Sequence, residues 1–162
     1  MTSITCWAHP APRLALLLAT LSPFLLPQSK GVLTIGPLDK LAIQRGATGE
    51  LKISAQLQPG FHVNSNTPSE EYLIPLKLTW AKEPLQAEQV IYPKPLSEKY
   101  DFSPTPLSVF SGNFEIVTRF KAPADARNGP AIMNGKLRYQ ACNNKECLPP
   151  RTIEIPVTLD IR

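Results

Sequence analysis

The chain has 162 residues, a formal net charge of +4, 18 prolines and three cysteines. That length suits one domain. Proline stands at about twice its usual frequency of roughly 5%, and it is kept out of helix interiors and central strands, which argues against long helices. The mild positive charge is scattered with no basic stripe, so no nucleic-acid partner is expected.

Residues 1–30 read as a secretory signal peptide. Arg13 supplies the positive flank, and Leu14 to Leu26 form an apolar stretch broken by Pro23. A transmembrane helix needs about 20 apolar residues, more than this stretch offers. An uncleaved anchor is the other reading of the same segment. Cleavage near Ser29 to Gly31 suits the small residues there, and Cys6 would leave with the signal. The remaining domain, residues 31–162, is then expected in an oxidising compartment, where disulfides form and persist.

Beyond the signal, period-two alternation predicts half-buried strands. Leu51, Ile53, Ala55 and Leu57 alternate with Lys52, Ser54 and Gln56, until Pro59-Gly60 turns the chain. Phe61-His62-Val63-Asn64 follows as a short strand. Ile74, Leu76, Leu78 and Trp80 alternate next, with Pro75 marking a strand start or an edge. Val90-Ile91-Tyr92 is brief, and Phe114, Ile116, Thr118 and Phe120 form a further set. Leu137, Tyr139 and Ala141 lead into Cys142. Ile153, Ile155, Val157, Leu159 and Ile161 close the chain, despite Pro156. Residues 64–69 and 93–106 are the longest connectors, the second long enough to be functional. Seven to nine short strands without a helical pattern predict an all-β fold, an immunoglobulin-like antiparallel β-sandwich. Phe61, Tyr72, Trp80 and Phe114 are expected in its core.

Cys142 and Cys147 are too close in sequence for the cross-core disulfide of an immunoglobulin domain, so they are expected to bridge the ends of a hairpin or a strand and its following turn. Closing so short a loop stabilises by only about 2 kcal/mol, against about 4.7 for a hundred-residue loop. Two uses stay open: a redox pair working by thiolate attack through a mixed disulfide, and a passive clip. Lys145 or Arg151 would favour a thiolate if turned inward, and Glu146 would oppose it. A closed zinc site wants four ligands, and only His62 could join the two cysteines. Copper(I) on two thiolates has no supporting methionine cluster. No metal or cofactor is expected. No hydrolytic constellation or phosphate loop is present.

The segment Tyr139 to Pro150, Tyr-Gln-Ala-Cys-Asn-Asn-Lys-Glu-Cys-Leu-Pro-Pro, resembles the active-site motif of the N-terminal (alpha) domain of the thiol:disulfide interchange protein DsbD. Phe61 to Pro68 with Tyr72 to Pro75, and Val109 to Gly112 before Phe114 to Ile116, are similar to two further stretches of that family. The resemblance covers most of the chain from Leu33 to Ile161, although the cysteine spacing is one residue shorter than in the best-known members. It implies an immunoglobulin-like sandwich whose cysteines cycle between dithiol and disulfide. Cys147 would form the mixed disulfide and Cys142 would resolve it. A capping loop would fall in Lys99-Tyr100-Asp101-Phe102, with Phe102 or else Tyr100 as the covering ring. His62 and Asn64 would lie near the pair. The resemblance also implies a periplasmic location. The partners would be the thioredoxin-like domain of a membrane electron transporter, as electron donor to a stand-alone domain, and oxidised periplasmic disulfide proteins, serving cytochrome c biogenesis or disulfide isomerisation. The competing reading is a non-enzymatic immunoglobulin-like binding module with a structural disulfide clip, recruiting a partner by strand addition at an exposed edge.

Overall fold

A computed structural model describes residues 31–162; the signal-peptide reading of residues 1–30 and Cys6 lie outside the described residues. Among these residues there are twelve strands and no helix. The strands are β1 (Leu33–Ile35), β2 (Leu41–Ile43), β3 (Thr48–Leu57), β4 (His62–Asn64), β5 (Lys77–Trp80), β6 (Gln86–Ile91), β7 (Leu96–Glu98), β8 (Leu107–Ser111), β9 (Asn113–Lys121), β10 (Gly129–Tyr139), β11 (Ala141–Cys142) and β12 (Arg151–Ile161). They form three sheets, in the orders β1-β3-β9-β6, β2-β12-β10-β5 and β11-β4-β8-β7. Pairing is antiparallel except where β2 runs parallel to the end of β12. The fold is an all-β, immunoglobulin-like sandwich.

Two long strand pairs make its walls. In β3, Leu51, Ile53, Ala55 and Leu57 point inward while Lys52, Ser54 and Gln56 point to solvent. This is the two-residue period of a strand with one wet face. Ile53 sits opposite Ile116 of β9. In the other wall, Leu137 of β10 sits opposite Ile153, and Met133 opposite Val157 of β12. The inward side chains merge into one cluster that includes Ile53, Ile116, Phe120, Met133, Leu137, Ile155 and Leu159. Each such side chain stabilises by about 1.5–3 kcal/mol on full burial.

A polar contact is built into this core. Thr118 is fully buried, and its hydroxyl accepts a hydrogen bond of 3.0 Å from the Trp80 indole N–H. The indole also meets Phe120 edge-on, with ring centroids 4.9 Å apart. Gly135 makes room for it, because a Cβ there would lie 2.7 Å from Trp80 Cζ3.

The architecture departs from the expected strand count in specific places. β1, β2 and β7 are three residues each and β11 is two, too short for alternation to register. β7 lies inside the 93–106 segment read as a connector, and β8 follows it directly. β5 begins at Lys77 and not at Ile74, since the Ile74 carbonyl and the Leu76 N–H are tied to Asn64 instead. Tyr72 is 74% exposed and is not a core residue; Phe61, Trp80 and Phe114 pack half-buried against the core. Pro156 is tolerated because β2 covers β12 only from Leu159 to Ile161, which leaves an open edge beside it.

Candidate functional site: the Cys142–Cys147 hairpin

Cys142 and Cys147 are joined as a disulfide, with Cα atoms 4.0 Å apart, and they face each other as an antiparallel bridge at the mouth of a hairpin. Hydrogen bonds brace the hairpin alongside the sulfur bridge. The Asn143 side-chain oxygen accepts from the N–H groups of Lys145 (2.8 Å) and Glu146 (2.9 Å). This is the local bond by which asparagine mimics a backbone turn. The Asn143 N–H donates to the Glu146 carbonyl at 2.9 Å, and the Leu148 N–H to the Ala141 carbonyl at 2.8 Å. The Gln140 amide reaches across to the Leu148 carbonyl at 3.1 Å.

The two cysteines have unlike surroundings. Cys142 is 1% exposed, whereas Cys147 lies at the surface. Lys145, Glu146 and Arg151 are exposed, so neither cation is turned inward on the bridge.

β11 holds Cys142 directly opposite His62 of β4. Residues opposed in this way project from the same face. His62 is 2% exposed, and its Nε2 is buried with no hydrogen-bond partner. Tyr100 stacks on the imidazole with ring centroids 4.1 Å apart, and Phe102 stacks on Tyr100 at 5.5 Å. The Tyr100 hydroxyl donates to Glu98 Oε2. The Ser111 hydroxyl, opposite His62 on β8, donates to Glu98 Oε1 at 3.3 Å. Burial lowers the His62 pKa from its ordinary 6.5, and the Glu98 charge works against that shift. Burial raises the Tyr100 pKa, helped by its bond to Glu98 and by the Glu98 charge. A cavity of about 220 Å³ lies between His62, Glu98, Tyr100 and Ser111 on one side and Asn144 of the cysteine hairpin on the other.

The segment from Lys99 to Thr105 is bonded to itself. The Lys99 ammonium and the Ser103 carbonyl pair, the Ser103 N–H donates to the Tyr100 carbonyl at 3.1 Å, and the Ser103 hydroxyl to the Thr105 carbonyl at 2.7 Å. Within it, Tyr100 is the inner ring and 8% exposed, Phe102 is the outer ring and 47% exposed, and Asp101 points to solvent. Asn64 lies two residues along β4 from His62, beyond the two residues that β11 pairs. It is 1% exposed, and its amide holds the Ile74 carbonyl at 3.1 Å. Tyr139 packs into the main sandwich core. Ser111 and Asn144 lie in stretches that resemble the family without being singled out by the sequence, and Glu98 lies outside all of them. The one available signal for Glu98 was its place in the long 93–106 segment, two residues before Tyr100. Among the described residues no group of three or more His, Cys, Asp and Glu is placed to hold a metal.

A family model described as "Thiol:disulfide interchange protein DsbD, N-terminal" matches residues 36–159. Among solved structures, the chain is similar to the reduced N-terminal domain of DsbD from Neisseria meningitidis, at 16% identity and TM-score 0.46, over 72% of this chain and 82% of that one. The N-terminal periplasmic domain of ScsB from Proteus mirabilis matches at 17% identity and TM-score 0.47, over 79% of this chain and 44% of that one. The seventh ScaB type I cohesin from Pseudobacteroides cellulosolvens matches at 11% identity and TM-score 0.44, over 80% and 92%. No curated protein sequence matches. The family model spans the sandwich from the residue after β1 to Leu159 in β12 and takes in the whole cysteine hairpin, and the chain belongs to the DsbD N-terminal family.

Proposed function

We propose that this domain is a periplasmic thiol:disulfide exchange module, in which Cys147 forms the mixed disulfide and Cys142 resolves it. The observation that carries this reading is the asymmetry of the pair: one cysteine is at the surface and its bonded partner is buried. Exchange needs an accessible sulfur for the partner and a second one close enough to close the bridge again. In the forward direction the Cys147 thiolate attacks a partner disulfide, Cys142 displaces the partner, and two electrons leave with it. A thioredoxin-like domain of a membrane electron transporter then restores the dithiol, and the acceptors are oxidised periplasmic disulfide proteins. The hydrogen-bonded hairpin supports this reading, because bonds other than the sulfur bridge also brace its turn.

Trapping tests it. A Cys142→Ser chain is expected to accumulate mixed disulfides through Cys147, and Cys147→Ser is expected to accumulate none. The opposite pattern reverses the roles. A pair whose potential lies below about −300 mV, the range of structural disulfides, and which no thioredoxin-like reductant opens, leaves the clip of a binding module as the correct reading.

A further inference from the structure

We infer that His62 accepts the proton of Cys142 when that thiol resolves the mixed disulfide. The inference rests on the exchange reading above and adds a residue to it. Once the bridge is open, Cys142 is a thiol buried in a sheet. An ordinary thiol titrates near 8.5, and apolar burial pushes it higher. Only the thiolate attacks, so the resolving step needs a base within the fold. His62 stands opposite Cys142 across the β4–β11 pair, which places their Cβ atoms about 4.5–5.5 Å apart on one face.

Two features fit this imidazole for proton transfer. Its Nε2 is buried and makes no hydrogen bond, which is an expensive arrangement for a polar atom with no task, at about 1–3 kcal/mol. Its ring is fixed by Tyr100, whose hydroxyl is itself held by Glu98, so the base is oriented. The ionisable groups around it are few. Glu98 faces it from β7 and Tyr100 from the following segment, and β8 contributes the uncharged Ser111. Lys99 is turned to the Ser103 carbonyl, and Asp101, Lys145 and Glu146 are exposed. Burial keeps His62 neutral near pH 7, and the Glu98 carboxylate stabilises the imidazolium when it forms.

The step balances. The proton passes from Cys142 Sγ to the imidazole, and the sulfur's electron pair forms the bond to Cys147 Sγ. The bond between Cys147 and the partner sulfur breaks. Its electron pair departs on the partner thiolate, and the imidazolium returns its proton to that thiolate or to water.

The reduced chain mixed with 5,5′-dithiobis(2-nitrobenzoic acid) separates the two steps, since the first coloured thiolate reports attack by Cys147 and the second reports displacement by Cys142. In the wild-type chain the second phase is expected to slow at a pH lower than 6.5, where the buried imidazole takes up a proton at its lowered pKa. His62→Gln is expected to slow the second phase about 100-fold at pH 7, within the usual range for a positioned base, to abolish that inflection and to leave the first phase unchanged. A second phase within about threefold of wild type with the same pH profile overturns the inference and leaves the exchange reading standing. A wild-type chain that releases no second thiolate overturns both. If His62→Gln fails to fold, the wild-type imidazole decides by NMR titration: its midpoint is expected to differ between disulfide and dithiol chains, and equal midpoints overturn the inference.

Discussion

The β3–β9 and β10–β12 walls and the small sheet carrying the site are built on opposite rules. In the walls alternate residues are buried along most of each strand, so one face meets the core and the other meets water. In β4 three successive residues, His62, Val63 and Asn64, are all buried. Successive side chains of a strand point to opposite faces, so this strand is covered twice. Val63 belongs to the main core, and His62 lies under Tyr100. The second cover is a satellite cluster of Tyr100, Leu107 and Val109, and beneath it sit polar atoms, two of them without partners. Apolar area holds the walls together. The site corner gives up part of that gain to keep an imidazole and a sulfur out of water.

The sharpest break of this contrast is in the wall. Phe120→Ala removes a fully buried ring that also packs against Trp80. It is expected to destabilise by about 3–5 kcal/mol, read as a lower urea midpoint with an unchanged slope. A loss under about 1 kcal/mol would mean that the wall cluster is not the main source of stability.

The same contrast explains what was legible in the sequence. Alternation exposed β3, β9, β12 and the end of β10 from Leu137, because a strand with one wet face must write its period into residue type. It placed Thr118 on the buried face as well, though not its bond to Trp80. Spacing narrowed the cysteines to the ends of a hairpin or to a strand and its following turn, and the family came from the residues around them. The corner was harder to read. A strand covered on both faces has no period to show, and β7 is three residues between prolines. Glu98 had only its place near Tyr100 to mark it, because its bond to Ser111 is made by the packing of β7 on β8. Phe102 illustrates the reverse: the sequence offers two rings for the cap, and burial distinguishes the inner Tyr100 from the outer Phe102.

Removing the bridge makes a smaller change than cutting into the wall. The loop it closes is short and its turn is already bonded through Asn143. Replacing both cysteines with serine is expected to lower stability by about 2 kcal/mol, measured by urea unfolding of wild-type and double-variant chains. A loss matching that of Phe120→Ala would make the bridge a structural element of the same rank as the core, and would favour the clip.

The smallest effect belongs to His62, and its sign is fixed by the direction of its shift. The folded chain holds this imidazole below its ordinary value of 6.5 through burial, with Glu98 opposing. Between the folded value and 6.5 the unfolded chain therefore binds a proton at His62 that the folded chain refuses. Stability is complete above about pH 6.5, falls as pH drops through that window, and levels off below the folded pKa. One proton limits the slope to about 1.4 kcal/mol per pH unit. Asp160 is held below 3.8 by its bond to Arg162 and by neighbouring cations, so its own loss of stability comes at lower pH. Urea midpoints of the disulfide-bonded chain between pH 5 and 8 are expected to fall on the acid side in wild type and to lose that component in His62→Gln. If both chains gave parallel curves, the imidazole would be as free to protonate in the folded corner as in water, and the second cover over β4 would not be sealing it.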